Sequence, residues 1–558
     1  MAAGNVASDT ASELAAGPMA ADWWASGDFP VRTGCIVEPL VDGRAAFFAM
    51  TVAFLTAKRF ILLAGWDIRA DLPLVRGGDL RIGDADAVER DRFTQVLRDQ
   101  GLDDDAIALW QSDHMCVVDV LGFAAKRGVK VGVLLWDAIH GVSHVTNDPE
   151  EERTALASAG VDCLLDDSSR AITHITQALH QKCCVVDGEL AFLGGIDLTV
   201  QTGGDYDRWD THQHPCASVE RTSHREAAKH PWHDVHTRIH GPAVADVQRN
   251  ITQRWMAVAG KHNAPAWPGE LATEPPAARP NGTPAQIART IPPKTYDFAP
   301  DGIANIKQLY LHALRQARRF VYLENQYLWT EVFLGLDGLR WGKTSPDMTE
   351  VIGAMAGALR RGVHIALTLP DHPNCGRAFT DGGVDWLREQ AVAAGGADRF
   401  RAYTLGNSEA DATMIGGMFY RPVYTHAKVA IVDDLWWTVG SANLNSRGMA
   451  TDAEINVGVL DPASAHELRL RLWNEHLHAA PHEAVEDPLT GLATLEAAAN
   501  ANLERVRALQ ALDGHLLPYL TAADGKRLDI AVHDEHGWLD NLPGGAGGFN
   551  PEHAGKYL

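Results

Sequence analysis

The chain contains the stretch His180-Gln-Lys182-Cys-Cys-Val-Val-Asp187 and, in its second half, the similar stretch His426-Ala-Lys428-Val-Ala-Ile-Val-Asp433. Both stretches run into apolar, partly β-branched residues, a composition that predicts a buried strand. Residues two apart on a strand project from the same face, so the histidine and the lysine of each copy point to the same side. Turns of small residues follow, at 194–197 and 440–443, where an anion can approach the backbone closely.

The two halves of the chain also resemble each other in their flanking segments. Residues 57–66 match 317–326, each with a basic helix end followed by an apolar extended run. Residues 125–137 match 359–371, each a helix stopped by glycine and continued as a buried strand. Together with the two motifs, these pairs make three matches in the same order. They predict an α/β fold, with two similar α-β-α sandwich lobes related by a pseudo-twofold axis. One active site is then expected at the lobe interface.

The length of 558 residues is too great for one hydrophobic core. We expect an N-terminal lobe over residues 1–262 and a C-terminal lobe over residues 295–480. Between them, residues 263–294 are rich in proline, which favours extended, unpaired chain, and they are expected to form a connector. Residues 481–558 are expected to form a tail, with a helical pattern from Leu492 to Leu509.

Composition and net charge limit the classes of partner that the protein is expected to bind. With 46% hydrophobic and 22% charged residues the chain has the make-up of a globular protein. Its formal net charge of −23 disfavours nucleic acid, because binding to nucleic acid depends on cationic contacts with phosphates, and no nucleic-acid partner is expected. The seven cysteines are odd in number and lack paired C-x2-C spacings, which favours reduced thiols.

The N-terminal sequence has no lysine or arginine before Arg32, so an ordinary secretory signal peptide is not predicted. The longest apolar candidate, residues 45–57, falls short of the roughly 20 residues that a transmembrane helix needs. Membrane contact is therefore expected to be peripheral. The protein is expected to be cytoplasmic or exported by a route that is independent of a signal peptide.

Two histidines and two lysines that converge from two lobes suit the cleavage of a phosphodiester. The lysines and nearby amides can stabilise charge on the non-bridging oxygens. One imidazole can attack phosphorus, and the other can protonate the leaving alkoxide. This chemistry needs neither a metal nor another cofactor, and none is expected.

Further segments carry a resemblance to a known family. The sequence resembles the phospholipase D superfamily, in the branch shared by plant and animal phospholipases D and some bacterial ones. The resemblance spans roughly Ala46 to His476. Beside the two motifs it rests on segments that follow the family order: Gly194-Gly-Ile-Asp-Leu198, Pro231-Trp-His-Asp-Val-His236, Gly241-Pro242, Gln253-Arg-Trp255 and Leu323-Glu-Asn-Gln-Tyr327.

The resemblance implies an activity and a set of roles. The implied reaction is hydrolysis of phosphatidyl-headgroup diesters to phosphatidic acid and alcohol, with transphosphatidylation, through a phosphohistidine intermediate. His180 is the implied nucleophile, and His426 the implied general acid and later base. Lys182 and Lys428 belong to the same catalytic set. The family also uses an acidic residue to hold each histidine, and Glu454 matches that position for His180.

The acidic partner of His426 is less well defined by the resemblance. Asp207 matches the family pattern best, with Asp205 and Asp210 as alternatives. Asp187 and Asp433, the last residues of the two motifs, resemble family positions that brace loops.

Substrate-binding roles are predicted for Gly195, Ser441 and Asn443, in the turns after the motifs, although simple turn chemistry is the alternative. The histidine-rich tract from His212 to His240 is typical of zinc ligands, but its last part reads as extended chain, which sends neighbours to opposite faces. No metal site is predicted there.

Four functions compete. Phospholipid hydrolysis at a membrane surface is favoured, because the accessory segments resemble the phospholipase branch. A cardiolipin or phosphatidylserine synthase would use the same motifs. A nuclease is disfavoured by the net charge. A non-catalytic lipid-binding scaffold is disfavoured because both histidines and both lysines are present.

Overall fold

The structure is a computed structural model that describes residues 22–75, 87–112, 114–138, 147–169, 177–199, 206–207, 230–267, 271–332, 343–372, 376–412, 415–477, 482–533 and 537–539. In this part of the chain the strands are β1 Arg32–Val41, β2 Phe60–Gly65, β3 Lys130–Trp136, β4 Asp162–Asp166, β5 Cys183–Val186, β6 Leu190–Gly194, β7 Tyr206–Asp207, β8 His230–His233, β9 Val235–His240, β10 Thr283–Ile291, β11 Ile303–Ala304, β12 Phe320–Glu324, β13 Glu331–Val332, β14 Lys343–Thr344, β15 His364–Thr368, β16 Phe400–Ala410, β17 Met418–Thr425, β18 Val429–Val432, β19 Trp436–Gly440, β20 Glu454–Leu460 and β21 Leu516–Pro518.

The α-helices of the described residues are α1 Asp42–Thr56, α2 Ala87–Asp99, α3 Asp104–Trp110, α4 Val117–Lys126, α5 Pro149–Ser158, α6 Val244–His262, α7 Asn305–Gln316, α8 Pro346–Arg360, α9 Arg377–Ala393, α10 Pro462–His476, α11 His482–Val485, α12 Pro488–Arg507 and α13 Ala522–Leu528.

Two mixed sheets carry the same strand order, which confirms two lobes of like topology. In the N-terminal lobe the order is β4-β3-β2-β5-β6-β9, with β2, β3 and β4 parallel and the other pairs antiparallel. In the C-terminal lobe it is β16-β15-β12-β18-β19-β20, with the same pattern of directions. Strand β1 pairs with β9 and also with β10, which lies beside β20, so it joins the two sheets.

Alternate residues of the central strands enter different cores, as expected for strands that are covered on both faces. Phe60 of β2 and Phe320 of β12 belong to one core that both lobes share. Ile61 packs into a separate core of the N-terminal lobe, and Val321 into one of the C-terminal lobe. The sandwich architecture of each lobe follows from this division of side chains.

The matching segments of the two halves adopt matching structures. Helix α4 leads through Gly128, at φ 88°, into β3, and helix α8 leads through Gly362, at φ 91°, into β15. A positive φ is readily adopted only by glycine, which explains why glycine stands at both junctions.

The proline-rich connector is less simple than expected. Residues 283–291 do not form unpaired chain; they form β10, which pairs antiparallel with β20 from Ala285 to Thr290. Pro284 precedes this paired stretch and Pro292 follows the strand, so neither proline removes a hydrogen bond from that ladder.

The predicted helical pattern in the tail is confirmed by α12. Beyond it, β21 pairs with β16 at the edge of the C-terminal sheet. Tyr519 donates a hydrogen bond to Asp381 at 2.8 Å, and the backbone amides of Trp538 and Leu539 both donate to Asp371 at 2.9 Å. The described part of the tail therefore packs against the C-terminal lobe.

Among the described residues, no helix has the length and apolar character needed to cross a membrane. The described cysteines, Cys35, Cys116, Cys163, Cys183 and Cys184, are free thiols, as the sequence predicts.

Candidate active site

His180 lies three residues before the start of β5, next to the chain of the other lobe. Its backbone amide donates to the carbonyl of Ala453 at 2.8 Å, which joins the motif to the chain that leads into β20. Its Nδ1 lies 3.1 and 3.0 Å from the two carboxylate oxygens of Glu454. The ring of Trp66 packs edge-on against the imidazole, with centroids 5.7 Å apart. The His180 side chain remains 12% exposed, so part of the ring stays accessible.

His426 is held in the same manner by the opposite lobe. Its Nδ1 lies 2.7 Å from Oδ2 of Asp234. Its backbone amide donates to the carbonyl of His233 at 2.8 Å. The ring of Trp232 lies 4.5 Å from that of His426. Each histidine therefore has an acidic partner from the other lobe and a tryptophan beside its ring.

The carboxylate that the structure shows beside His426 is not the one that the sequence predicted. Asp234 lies next to Nδ1 of His426, in the role that was expected of Asp207. The backbone of Asp207 lies in β7, but its side chain is outside the described residues, as are Asp205 and Asp210. Glu454, the predicted partner of His180, lies within hydrogen-bond distance of Nδ1 of that histidine.

The internal repeat carries the signal that would have identified Asp234. In β20, Asn456 pairs with Gly440, and Glu454 stands two residues earlier. In β9, His236 pairs with Gly194, and Asp234 stands two residues before it. An alignment of Asp234-Val-His236 with Glu454-Ile-Asn456 therefore identifies the carboxylate partners of both histidines.

The two lysines point into the site but have different neighbours. Lys182 Nζ lies 2.9 Å from Oδ2 of Asp197, and both side chains are buried. Lys428 Nζ lies 3.4 Å from the amide oxygen of Gln326. Each lysine also donates to the carbonyl of its own motif histidine. The N-terminal lysine therefore has a carboxylate beside it where the C-terminal lysine has an amide.

The turn residues lie against the acidic partners. The Ser441 hydroxyl donates to Oε2 of Glu454. Gly195 lies so close to Asp234 that an added Cβ would stand 2.0 Å from its Oδ1. Asn443 is buried in the same turn as Ser441. The structure thus brings these residues to the site, and their contact with substrate stays a prediction.

Asp187 and Asp433 brace the chain at equivalent points. Asp187 accepts hydrogen bonds from the backbone amides of residues 58–60 at 2.7 to 2.9 Å. Asp433 accepts from those of residues 318–320 at 2.6 to 2.8 Å. Asp187 thus holds the turn that leads into β2, and Asp433 holds the turn that leads into β12.

Burial and the nearby cations decide the protonation of His180. Its pKa is held well below the usual value by burial and by the positive charges of Lys182 and Lys428, so the imidazole is neutral. Burial also raises the pKa of Glu454 well above its usual value, and Asp452 adds to this effect. The lowered pKa of His180 and the raised pKa of Glu454 both disfavour a charged pair of imidazolium and carboxylate. Because both lysines act on both groups, the four side chains lie in one electrostatic environment.

Among the described residues, donor atoms that could hold a metal ion come together in two overlapping groups: His233, Glu324 and His476; and Asp42, His233 and Glu475. Of the histidine-rich tract, His212, His214 and His224 lie outside the described residues. His236 lies in β9, an extended strand as expected, and its pKa is lowered to about 3 by burial and by Lys182.

Comparison with known proteins gives the family. The family model described as Phospholipase D matches residues 106–279 and 407–532, together more than half of the chain. Two relatives are phospholipase D alpha 1 of Cynara cardunculus, 26% identical over 551 residues, and phospholipase D alpha 3 of Arabidopsis thaliana, 25% identical over 549 residues. Each alignment covers 75% of this chain and 62% of the relative, so the chain spans less than two thirds of either protein.

Solved structures also resemble the chain. The phosphatidylserine synthase of Haemophilus influenzae Rd KW20 aligns with a TM-score of 0.46 and 12% identity, over 84% of this chain and 94% of the synthase. The phospholipase D family member Nuc from Salmonella typhimurium aligns with a TM-score of 0.21 and 19% identity, over 33% of this chain and 88% of Nuc. On the extent of the family match, the chain belongs to the phospholipase D family.

Proposed function

We propose that the chain is a phospholipase D-type phosphodiesterase, which hydrolyses phosphatidyl-headgroup diesters to phosphatidic acid and a free alcohol. The observation that carries this proposal is the reciprocal support of the histidines. A buried carboxylate from the opposite lobe lies beside Nδ1 of each imidazole. Such a partner fixes the tautomer and orientation of a histidine, so that Nε2 is directed at the substrate.

The first step uses the two histidines differently. Neutral His180 attacks phosphorus through Nε2 while the bond from phosphorus to the headgroup oxygen breaks, which gives a phosphohistidine. His426, protonated at Nε2, passes its proton to the leaving oxygen as the headgroup alcohol departs. Lys182 and Lys428 stabilise the negative charge on the non-bridging oxygens, an effect worth several kcal/mol at a preorganised site.

The second step reverses the role of His426. Its now neutral imidazole takes a proton from water, and the oxygen of that water attacks phosphorus. The bond between phosphorus and His180 breaks, phosphatidic acid leaves, and His426 is again protonated. An alcohol that replaces water at this step gives transphosphatidylation.

The partner that fits this chemistry is a phospholipid at a membrane surface, reached by peripheral contact. A net charge of −23 opposes a polyanionic nucleic acid as the substrate.

The proposal is tested by incubating the purified protein in parallel with vesicles of phosphatidylcholine, phosphatidylethanolamine or cardiolipin and with single-stranded DNA. We expect phosphatidic acid and free headgroup alcohol from at least one diacyl phospholipid, and intact DNA. Cleavage of DNA without attack on any phospholipid would reject the phospholipase. In two further arms the protein is given CDP-diacylglycerol with serine, or phosphatidylglycerol. Net synthesis of phosphatidylserine or cardiolipin there, without hydrolysis in water, would identify a synthase instead.

A further inference from the structure

A buried ionic cluster lies beside the active site, at the lobe interface, and its side chains take no part in the proposed steps. Its centre is Glu324, at the end of β12. One carboxylate oxygen lies 2.8 Å from Nε2 of His233, in the N-terminal lobe. The other lies 2.8 Å from Nε2 of His476, at the end of α10, and accepts from the Tyr322 hydroxyl at 2.7 Å. These side chains are buried.

The charges around His233 and His476 affect the pKa of each imidazole. His233 Nδ1 lies 3.1 Å from Oδ1 of Asp42, so both of its ring nitrogens face carboxylates. Burial by itself would lower the pKa of His233, but Glu324 and Asp42 raise it to about 10. Burial lowers the pKa of His476, although Glu324 opposes the shift. His233 therefore lies between one carboxylate of each lobe, with Asp42 beside Nδ1 and Glu324 beside Nε2.

The backbone connects this cluster to the catalytic histidine of the C-terminal lobe. The carbonyl of His233 accepts from the amides of His426 at 2.8 Å and of Ala427 at 3.2 Å. Asp234, whose carboxylate meets Nδ1 of His426, is the next residue. Its amide donates to Oδ1 of Asp42 at 3.0 Å, and its carbonyl accepts from the amide of Asp42 at 2.8 Å. The chain on each side of Asp234 is thus fixed by groups of the cluster.

We propose that His233 and Glu324 are positioning residues, which form an ionic bridge between the lobes and hold Asp234 against His426. Through this bridge the C-terminal lobe sets the placement of its own general acid. The inference rests on the proposed function, in which His426 protonates the leaving alcohol. A misplaced His426 should therefore slow the first step only for substrates whose leaving group has to be protonated.

The test replaces Glu324 with glutamine and compares two phosphatidyl esters that differ in their leaving groups. Choline is a poor leaving group that needs a well-placed acid, whereas p-nitrophenol leaves with little help. A displacement of about 1 Å in a catalytic group can cost on the order of 100-fold. For Glu324→Gln we expect turnover of phosphatidylcholine to fall by about 10- to 100-fold, and turnover of phosphatidyl-p-nitrophenol to fall far less.

A matched control is Asp381→Asn, which removes another buried carboxylate that is hydrogen-bonded by Tyr519 and by the amide of Ala522. Any effect of that variant should be equal for the two esters. Should Glu324→Gln fail to fold, Tyr322→Phe removes one hydrogen bond from Glu324 and should give a smaller change in the same direction. Equal losses on the two esters for the folded cluster variant would overturn the inference.

A second readout does not depend on activity. A proton shared between Nδ1 of His426 and Asp234 should give a far-downfield proton resonance that is absent from His426→Ala. We expect this resonance to be lost or shifted in Glu324→Gln and unchanged in Asp381→Asn. An unchanged resonance in Glu324→Gln would overturn the inference.

One bound divalent ion per wild-type chain, lost in Glu324→Gln, would also overturn the inference, because the cluster would then be a metal centre. Failure of the wild-type protein to cleave either ester would instead reject the proposed function, and the resonance would still decide the positioning role.

Discussion

The two motif histidines have partners of the same kind but unequal surroundings. Nδ1 of His180 meets both oxygens of Glu454, while Nδ1 of His426 meets one oxygen of Asp234. The pKa of His180 is held low by burial and by the two lysines. A neutral imidazole is the form that can attack phosphorus, so these surroundings support His180 as the nucleophile.

The division of roles predicts which histidine becomes phosphorylated. With phosphatidyl-p-nitrophenol, His426→Ala should accumulate a phosphoenzyme, because the first step needs little acid while the second lacks its base. His180→Ala should show no adduct. Mass spectrometry after a rapid quench checks both variants. An adduct on His426 in the His180→Ala protein, with His426→Ala unlabelled, would reverse the roles.

The lowered pKa of His180 predicts the acid limb of the pH profile. Because His180 must be neutral to attack, activity falls as pH drops through its pKa, and this midpoint should lie below the ordinary histidine value of about 6.5. Arg447 is one of the cations that lower the pKa, so Arg447→Gln should move the midpoint upward. The measurement is kcat/KM against pH on phosphatidyl-p-nitrophenol. A wild-type midpoint above 6.5 would contradict this account.

Gly195 is predicted to be irreplaceable for a local reason. In Gly195→Ala the new methyl group would stand 2.0 Å from Oδ1 of Asp234, so the carboxylate that contacts His426 must shift from its place. We expect a loss of phosphatidylcholine turnover on the order of 100-fold. Gly260→Ala is the control, because an added Cβ there meets no atom within 4 Å and the site lies in helix α6. Full activity of Gly195→Ala would show that the placement of Asp234 is not critical.

At the scale of the elements, strand periodicity and the internal repeat predicted much of what the structure shows. The motif strands, the glycine-ended helices and helix α12 all follow from local patterns. Strand β10 was not predicted, because Pro284 and the prolines on either side of the strand argued against pairing, and its partners lie far away in the sequence. Asp234 was missed for a related reason: it precedes β9, and the pairing of β9 with β6 brings it to the site.

The motif aspartates are predicted to stabilise these elements and to take no part in the chemistry. Asp433→Ala would remove the acceptor of the backbone amides of residues 318–320, and each lost hydrogen bond costs about 0.5 to 1.5 kcal/mol. Urea unfolding should show the loss, while kcat of the folded variant stays in the same order of magnitude. Asp187→Ala, at the equivalent turn, should behave alike. A catalytic collapse without a loss of stability would place these carboxylates in the reaction.

The proposed reaction needs residues of both lobes in one active site. The repeated motifs predicted this arrangement from the sequence, and the structure adds the reciprocal partners: Glu454 reaches from the C-terminal lobe to His180, and Asp234 reaches from the N-terminal lobe to His426. The ionic bridge between Glu324 and His233 could not be foreseen, since its two residues meet only when both lobes are folded.

Both lobes are proposed to serve a single reaction, and the additivity of substitutions at the two lysines can be measured to test this. Lys182→Met and Lys428→Met are each expected to remove most of the turnover of phosphatidylcholine, since each takes away part of the charge stabilisation at the same phosphorus. Residues that act as one unit lose about as much singly as together, so the double variant should be hardly slower than either single variant. Substantial activity in either single variant, with a collapse only in the double variant, would show two independent sites and contradict the account.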